Sequence, residues 1–258
     1  MQIEILRRAP GETESYLQTF DYEPENSAET VATALTRLNA RPELKDIHGQ
    51  PARPVRWECS CLQKKCGACA MVIDGIPALA CSTRLMPEPA GTLLTSLVRR
   101  RAPEKTKIRL EPLRKFPVIE DLAVDRSVLF ENLRELRVWL EKAPELQETG
   151  TGKQRERREA AAETAYEASR CLQCGCCLEV CPNFMPGGTF AGMAAAVPMT
   201  RLFAEAGASG KAAELYRKRI YEGCGKSLAC RNICPAGIDI DRMLVNSNAI
   251  AVWKRLLK

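Results

Sequence analysis

"CLQCGCCLEVCP", residues 171–182, sets five cysteines among eleven successive positions and closes them with a proline. Cys171, Cys174, Cys177 and Cys181-Pro182 spell C-x2-C-x2-C-x3-C-P, the bacterial ferredoxin run. In that run the fourth cysteine serves the other cluster of a two-cluster domain, so the spacing predicts a partner run in the same chain. Cys224, Cys230 and Cys234-Pro235 supply it. Aligned on their Cys-Pro ends, the second run matches the first except at Ser227, where a thiolate is missing. By the crossover rule Cys171, Cys174, Cys177 and Cys234 hold a cubane [4Fe-4S] cluster. Cys181, Cys224 and Cys230 remain, three ligands that suit a [3Fe-4S] cluster lacking the iron Ser227 would have faced. A serine-ligated fourth iron is the alternative, and an alkoxide is a harder, more basic ligand than a thiolate. Cys176 breaks the two-residue spacing that Cys177 keeps and is read as a spectator thiol.

The first half carries a different set. Cys61, Cys66, Cys69 and Cys81 have the spacing C-x4-C-x2-C…C, the plant-type [2Fe-2S] pattern. There a compact loop surrounds the cluster and a remote strand contributes the fourth thiolate. Gly67 fits such a loop, which needs unusual backbone angles and amide N–H groups turned toward sulfide. Using Cys59 instead would give C-x6-C-x2-C, so Cys59 is read as a second spectator. Zinc sites use C-x2-C pairs in fours, which overlapping runs trailing into Cys-Pro are not. The 13 cysteines are an odd number, clustered, in a sequence showing no secretory leader, which favours metal ligation over a disulfide framework.

Outward from the cysteines, 258 residues with 45% hydrophobic and 27% charged side chains are an ordinary globular composition, long enough for two small domains. "MQIEILRRA" and "SYLQTFDYE" read as strands joined by a "PGETE" hairpin. The pair Arg7-Arg8 reads as exposed strand charge, since no apolar segment follows it as an export signal requires. Ser27 is the expected N-cap of a helix over Ala28 to Asn39 with Val31, Leu35 and Leu38 on one face. "AMVI" and "IPALAC" flank Asp74-Gly75, a two-residue hairpin signal, and "KIRLEPL" supplies a last strand. After about Leu113 the pattern turns helical: "SVLFENLRELRVWLEKA" spaces Leu129, Leu133, Leu136 and Leu140 along a helix, and "REAAAETAYEASRC", "KAAELYRKRIYEGC" and "IDRMLVNSNAIAVWKRLLK" follow. Residues 143–158 read as an exposed connector. "AGMAAAVPM" is too short to span a bilayer and is expected to be broken at Pro198. The fold class is α+β, with an N-terminal β-grasp domain over 1–113 and an all-α two-cluster domain over 114–258.

The net charge of +6 falls in runs such as Arg99-Arg100-Arg101, Lys105 to Arg109, Lys153 to Arg158 and Lys254-Arg255, read as solvated faces. No nucleic-acid-binding signature accompanies them, so no nucleic acid partner is expected. His48, the one histidine, reads as a solvated loop residue, and no Ser-His-Asp set or phosphate-cradling glycine loop is present. Trp57, Trp139 and Trp253 read as core or interface residues. Three cluster motifs without a flavin or nucleotide fingerprint describe a wire that carries single electrons and leaves two-electron chemistry to a partner.

The chain resembles the iron-sulfur subunits of succinate dehydrogenase and fumarate reductase, the respiratory complex II family. The likeness covers nearly the whole sequence: the order of the three motifs, the "CGAC" core, "GIPALAC", "FPVIEDLAVDRS", "CLQCGCCLEVCP", and C-x5-C-x3-C-P with a non-cysteine at Ser227. The resemblance implies a [2Fe-2S] end at Cys61, Cys66, Cys69 and Cys81 facing a flavoprotein subunit with covalent FAD, where succinate and fumarate interconvert. It implies a [3Fe-4S] end at Cys181, Cys224 and Cys230 facing quinone and a membrane anchor of the cytochrome b type, with [4Fe-4S] between. The subunit would then be peripheral, on the cytoplasmic face of the cell membrane.

Departures from the family bear on detail. The common "CREGICGSC" loop is here "CLQKKCGAC", with Lys64 in place of a glycine and two positive charges beside the cluster. Relatives that reduce ubiquinone often carry a tryptophan shortly after the first Cys-Pro and a histidine after the first cysteine of the second run. Here those places read "NFMPGG" and Gly225, and Ala236 stands where many relatives have lysine. These differences point to menaquinone. A rival reading is the electron-transfer subunit of another flavoenzyme, a thiol-dependent fumarate reductase or a heterodisulfide reductase-like complex, which would show two complete four-cysteine runs. A redox sensor that loses its cluster is a third.

Overall fold

The computed structural model describes residues 1–86, 106–139, 152–207 and 210–253. Arg99 to Arg101, Lys105, Leu140, residues 143–151 and Lys254-Arg255 lie outside the described residues. The packing divides the chain into two compact units, Met1–Asp125 and Arg126–Lys258.

The first unit is built on a five-stranded sheet in the order β2-β1-β5-β3-β4. β1 (Gln2–Arg7) and β2 (Tyr16–Asp21) form the expected antiparallel hairpin, Gln2 opposite Asp21 and Arg7 opposite Tyr16. β3 (Ala70–Ile73) and β4 (Ile76–Leu79) turn at Asp74 and Gly75, both with positive φ, the geometry that makes Asp-Gly a hairpin signal. β5 (Lys107–Glu111) pairs parallel to β1 and antiparallel to β3, which closes the mixed sheet. Ile3, Ile5, Phe20, Leu35, Leu38, Ile108 and Leu110 are fully buried. The helix runs Val31–Asn39, shorter than the sequence pattern implies. Its N-cap is Thr30, whose hydroxyl accepts the Thr33 N–H, and not Ser27. A second small ribbon, β6 (Val118–Glu120) with β7 (Ala123–Val124), carries the first unit past Leu113.

The reading of Arg7 as exposed charge is overturned. β1 alternates half-buried and buried side chains, and the buried set is Ile3, Ile5 and Arg7. Arg7 is neutralised by Asp121 through Nε at 2.8 Å and Nη2 at 2.9 Å. Its remaining donors reach Gln18 Oε1 and the carbonyls of Arg53 and Pro54. Asp121 also accepts the backbone N–H groups of Arg8 and Arg56. One ion pair thus ties β1, β2, the turn between β6 and β7, and the segment that leads into the first cysteine loop.

The second unit is helical: Ser127–Glu135, Lys153–Ser169, Cys176–Glu179, Met193–Ala206, Gly210–Tyr216 and Ile240–Asn248, with wider turns over Arg217–Tyr221 and Ala249–Trp253. Residues 153–158 of the expected connector are the exposed start of a helix. Pro198 does not break its segment either. It sits inside helix Met193–Ala206, which passes through the core with Ala195, Ala196, Met199 and Phe203 buried. The Phe203 and Tyr216 rings meet edge to face, 5.5 Å between centroids. Buried polar groups are paired across this core, Thr200 with Ser247 at 2.7 Å and Tyr216 Oη donating to Asn248 at 2.8 Å. No helix among the described residues is long and apolar enough to cross a membrane.

Asp121→Ala leaves the Arg7 guanidinium buried without its counter-charge, and such a loss costs about 3–5 kcal/mol. Denaturant unfolding of the full chain, followed by visible absorbance of the first unit's cluster, is expected to show a correspondingly lower midpoint.

Candidate metal centres

The loop after β2 and the helix reaches Cys61 through an irregular stretch and then winds tightly. Leu62, Lys64 and Gly67 have φ of +53°, +59° and +77°. This winding turns the N–H groups of Gln63 and Lys65 onto Cys61 Sγ, each at 3.3 Å. Those two donors, with a thiol contact from Cys66, pull the Cys61 thiol down to about 7. Cys69 enters β3 and Cys81 lies in the turn Ala80–Ser82 after β4; the Ala80 N–H donates to the Cys69 carbonyl at 3.0 Å. Burial pushes Cys69 up to about 12, and Cys81 and Cys66 are the neighbours that add to it. The structure therefore brings Cys61, Cys66, Cys69 and Cys81 into one loop and strand pair. Cys59 is exposed nearby. Lys64 holds a left-handed backbone that costs a non-glycine residue about 1–2 kcal/mol.

In the second unit Cys171 follows the end of helix Lys153–Ser169, Cys174 precedes the short helix Cys176–Glu179, and Cys177 lies within it. Gln173 and Gly175 are left-handed, φ +49° and +86°. Cys171, Cys174, Cys177 and Cys234 line a single small cavity of about 30 Å³, walled by Leu172, Val197, Ile238 and Ile240. Burial pushes Cys171 up to about 11, with Cys174 and Cys234 adding, and raises Cys177 well above its ordinary value. Cys174 goes the other way, to about 7, because the Cys176 thiol donates to it. Cys176 is fully buried and occupied in that contact.

Cys181, Cys224 and Cys230 form the third group. Burial raises Cys230 to about 11, and Cys181 and Cys224 are its charged neighbours. Cys230 in turn acts on Cys177, so the two groups adjoin there. Ser227 is exposed between Lys226 and Leu228, both left-handed at φ +54° and +56°. Of the eight non-glycine residues with positive φ among the described residues, five lie inside these three cysteine loops. Backbone strain is concentrated where thiolates must converge.

The donor sets fit iron-sulfur clusters. They are thiol-only, grouped four, four and three, and served by backbone N–H groups as at Cys61. Clusters held this way supply one-electron carriers.

Sequence reasoning missed two supporting residues. Asn183, after Cys181-Pro182, donates to the Gly223 carbonyl at 3.0 Å and stands 3.0 Å from where a Cβ on Gly225 would be, so it joins the two runs and fills that corner. Gln173 folds over Cys171. Neither has a spacing signature. His48 is exposed in a turn held by Asp46, as expected, and Trp139 and Trp253 are 48% and 40% exposed, which leaves the interface half of the core-or-interface expectation for them.

A five-stranded grasp-like sheet with a four-cysteine loop, followed by a helical unit with two interleaved cysteine runs, defines a two-domain ferredoxin-type iron-sulfur protein. Residues 2–131 match a 2Fe-2S iron-sulfur cluster binding domain and residues 143–238 a 4Fe-4S dicluster domain. The succinate dehydrogenase iron-sulfur subunit of Bacillus subtilis is 32% identical, over 95% of this chain and 89% of that protein. The fumarate reductase iron-sulfur subunit of Haemophilus influenzae is 29% identical, over 93% and 88%. An uncharacterised iron-sulfur protein of Methanocaldococcus jannaschii is 30% identical over 96% of this chain, which spans 43% of that longer protein. The fold matches a chain of the Mycobacterium smegmatis Sdh1 complex in the apo form, with a TM-score of 0.71, 22% identity and coverage of 100% and 97%. The chain belongs to the family of iron-sulfur subunits of succinate dehydrogenase and fumarate reductase.

Removing the two charges beside Cys66, as Lys64→Gln/Lys65→Gln, is expected to lower the [2Fe-2S] reduction potential by about 20–40 mV, since an exposed positive charge modestly favours the reduced cluster. An EPR redox titration that finds no fall would reject that role.

Proposed function

We propose that this chain relays single electrons between the FAD of a flavoprotein subunit and quinone at a membrane anchor, within a succinate:quinone oxidoreductase. Eleven of its cysteines serve as ligands in three sets: Cys61, Cys66, Cys69 and Cys81 for [2Fe-2S]; Cys171, Cys174, Cys177 and Cys234 for [4Fe-4S]; Cys181, Cys224 and Cys230 for [3Fe-4S]. The domains carrying them are a β-grasp ferredoxin domain and a helical ferredoxin domain, which correspond to the units Met1–Asp125 and Arg126–Lys258. The observation that carries the reading is the interleaving of the two runs, Cys234 beside Cys171 and Cys181 beside Cys230. Such interleaving gives two adjoining centres, the arrangement a relay needs.

Support for the quinone end comes from a groove of about 340 Å³ beside Cys224, lined by Tyr221, Leu228, Leu244, Val245 and Trp253 together with the polar Lys226, Asp241 and Asn248. Val245 and Trp253 are 53% and 40% exposed there, an apolar surface suited to a membrane anchor. The subunit would then sit peripherally on the cytoplasmic face of the membrane. The missing tryptophan after the first Cys-Pro, Gly225 and Ala236 favour menaquinone over ubiquinone.

The test is turnover of the assembled complex. Succinate added anaerobically should reduce the clusters, and electrons should pass to a menaquinone analogue. Efficient turnover with ubiquinone but not with menaquinone would overturn the quinone assignment, and clusters that stay oxidised with succinate and accept no electrons from menaquinol would overturn the relay.

A further inference from the structure

Gln173 stands between Cys171 and Cys174 and is not a residue the ferredoxin spacing requires. Its left-handed backbone, φ +49°, is disfavoured for any residue with a Cβ. That conformation sends the side chain back over the run. Nε2 lies 3.2 Å from Cys171 Sγ and 2.8 Å from the Ala194 carbonyl oxygen.

The Ala194 carbonyl is open to this contact because of Pro198. Ala194 lies four residues before Pro198 in helix Met193–Ala206, and proline has no N–H to complete the bond that this carbonyl would otherwise accept. Gln173 takes the place of the missing helix donor. Two acceptors on one side fix which way the amide faces, since reversing it would set Oε1 against a carbonyl oxygen and a sulfur. Oε1 is left buried without a hydrogen-bond partner, so the side chain is held by its N–H groups alone.

We propose that Gln173 is a positioning residue for the cubane site: anchored on the Ala194 carbonyl that Pro198 leaves open, its amide donates to the Cys171 sulfur and raises the reduction potential of the cluster that sulfur holds. A donor on a ligating sulfur stabilises the more negative, reduced state. The proposal rests on the assignment of Cys171 to the [4Fe-4S] cluster. It also gives Pro198 a role, since the proline keeps a carbonyl free inside a packed helix.

The experiment is an EPR redox titration of the assembled, cluster-loaded complex, with iron and sulfide measured, for the wild type, Gln173→Leu and Pro198→Ala. Gln173→Leu keeps most of the bulk and removes both side-chain bonds. Pro198→Ala leaves the cysteine loop untouched and restores an N–H that competes for Ala194. The [4Fe-4S] reduction constant is expected to fall about tenfold in Gln173→Leu, about 59 mV for a one-electron couple, and less in Pro198→Ala. The [2Fe-2S] potential should stay where it is in both. An unmoved [4Fe-4S] potential in either variant, with its iron retained, overturns the proposal. Should Gln173→Leu lose its iron, Pro198→Ala decides alone by the same criterion. A wild type lacking any [4Fe-4S] signal would overturn the cluster assignment itself, and the proposal with it.

Discussion

A thiol at position 234 has to enter the same cavity as three thiols from residues 171–177, and the second unit is organised around that crossing. The sequence that carries Cys234 is pinned to the helix Lys153–Ser169, which ends just before Cys171. Arg170 donates to the Ala236 carbonyl at 2.7 Å, the Asp239 N–H donates to Glu167 at 2.9 Å, and Arg242 pairs with Glu163 and Glu167. Ile238 and Ile240 then bury on the apolar side of the cavity. The same crossing in reverse puts Cys181 of the first run beside Cys230 of the second, so fixing one centre fixes the other.

Gathering thiols in an apolar enclosure is unfavourable for their ionised forms. Burial raises Cys171, Cys177 and Cys230, and each thiol's neighbours raise it further. A cluster reverses that balance, because ligation requires the thiolate and iron supplies the opposing charge. Metal binding and folding of this unit are therefore linked, and the left-handed residues in the cysteine loops are conformations that bound metal would help to hold. The first unit relies less on its cluster. It has a continuous sheet and the buried Arg7–Asp121 pair, which fixes the segment leading to Cys61 from three sides.

Much of this was legible in the sequence, and the legible parts share a cause. Cysteine spacing, Asp74-Gly75 and strand alternation are local signals, each set by one turn or one repeat of backbone geometry. The misses are tertiary. Thr30 rather than Ser27 caps its helix because the strand connection at Thr83 decides where the chain can turn, with the Val31 N–H donating to the Thr83 carbonyl. Pro198 lies within a helix because a side chain from the cysteine loop replaces the lost donor, which no helix-breaking rule anticipates. Arg7 was legible in principle: Ile3 and Ile5 already placed position 7 on the inward face, and only its charge argued otherwise.

The proposed relay requires three clusters of three kinds in one chain. Iron and sulfide quantitation with EPR of the complex, purified anaerobically and read oxidised and reduced, tests it most directly. About nine irons per chain, with an oxidised-state [3Fe-4S] signal that disappears on reduction, is the expected result. About ten irons and no [3Fe-4S] signal would contradict it, placing a second cubane at Cys181, Cys224 and Cys230 with Ser227 or another ligand on its fourth iron.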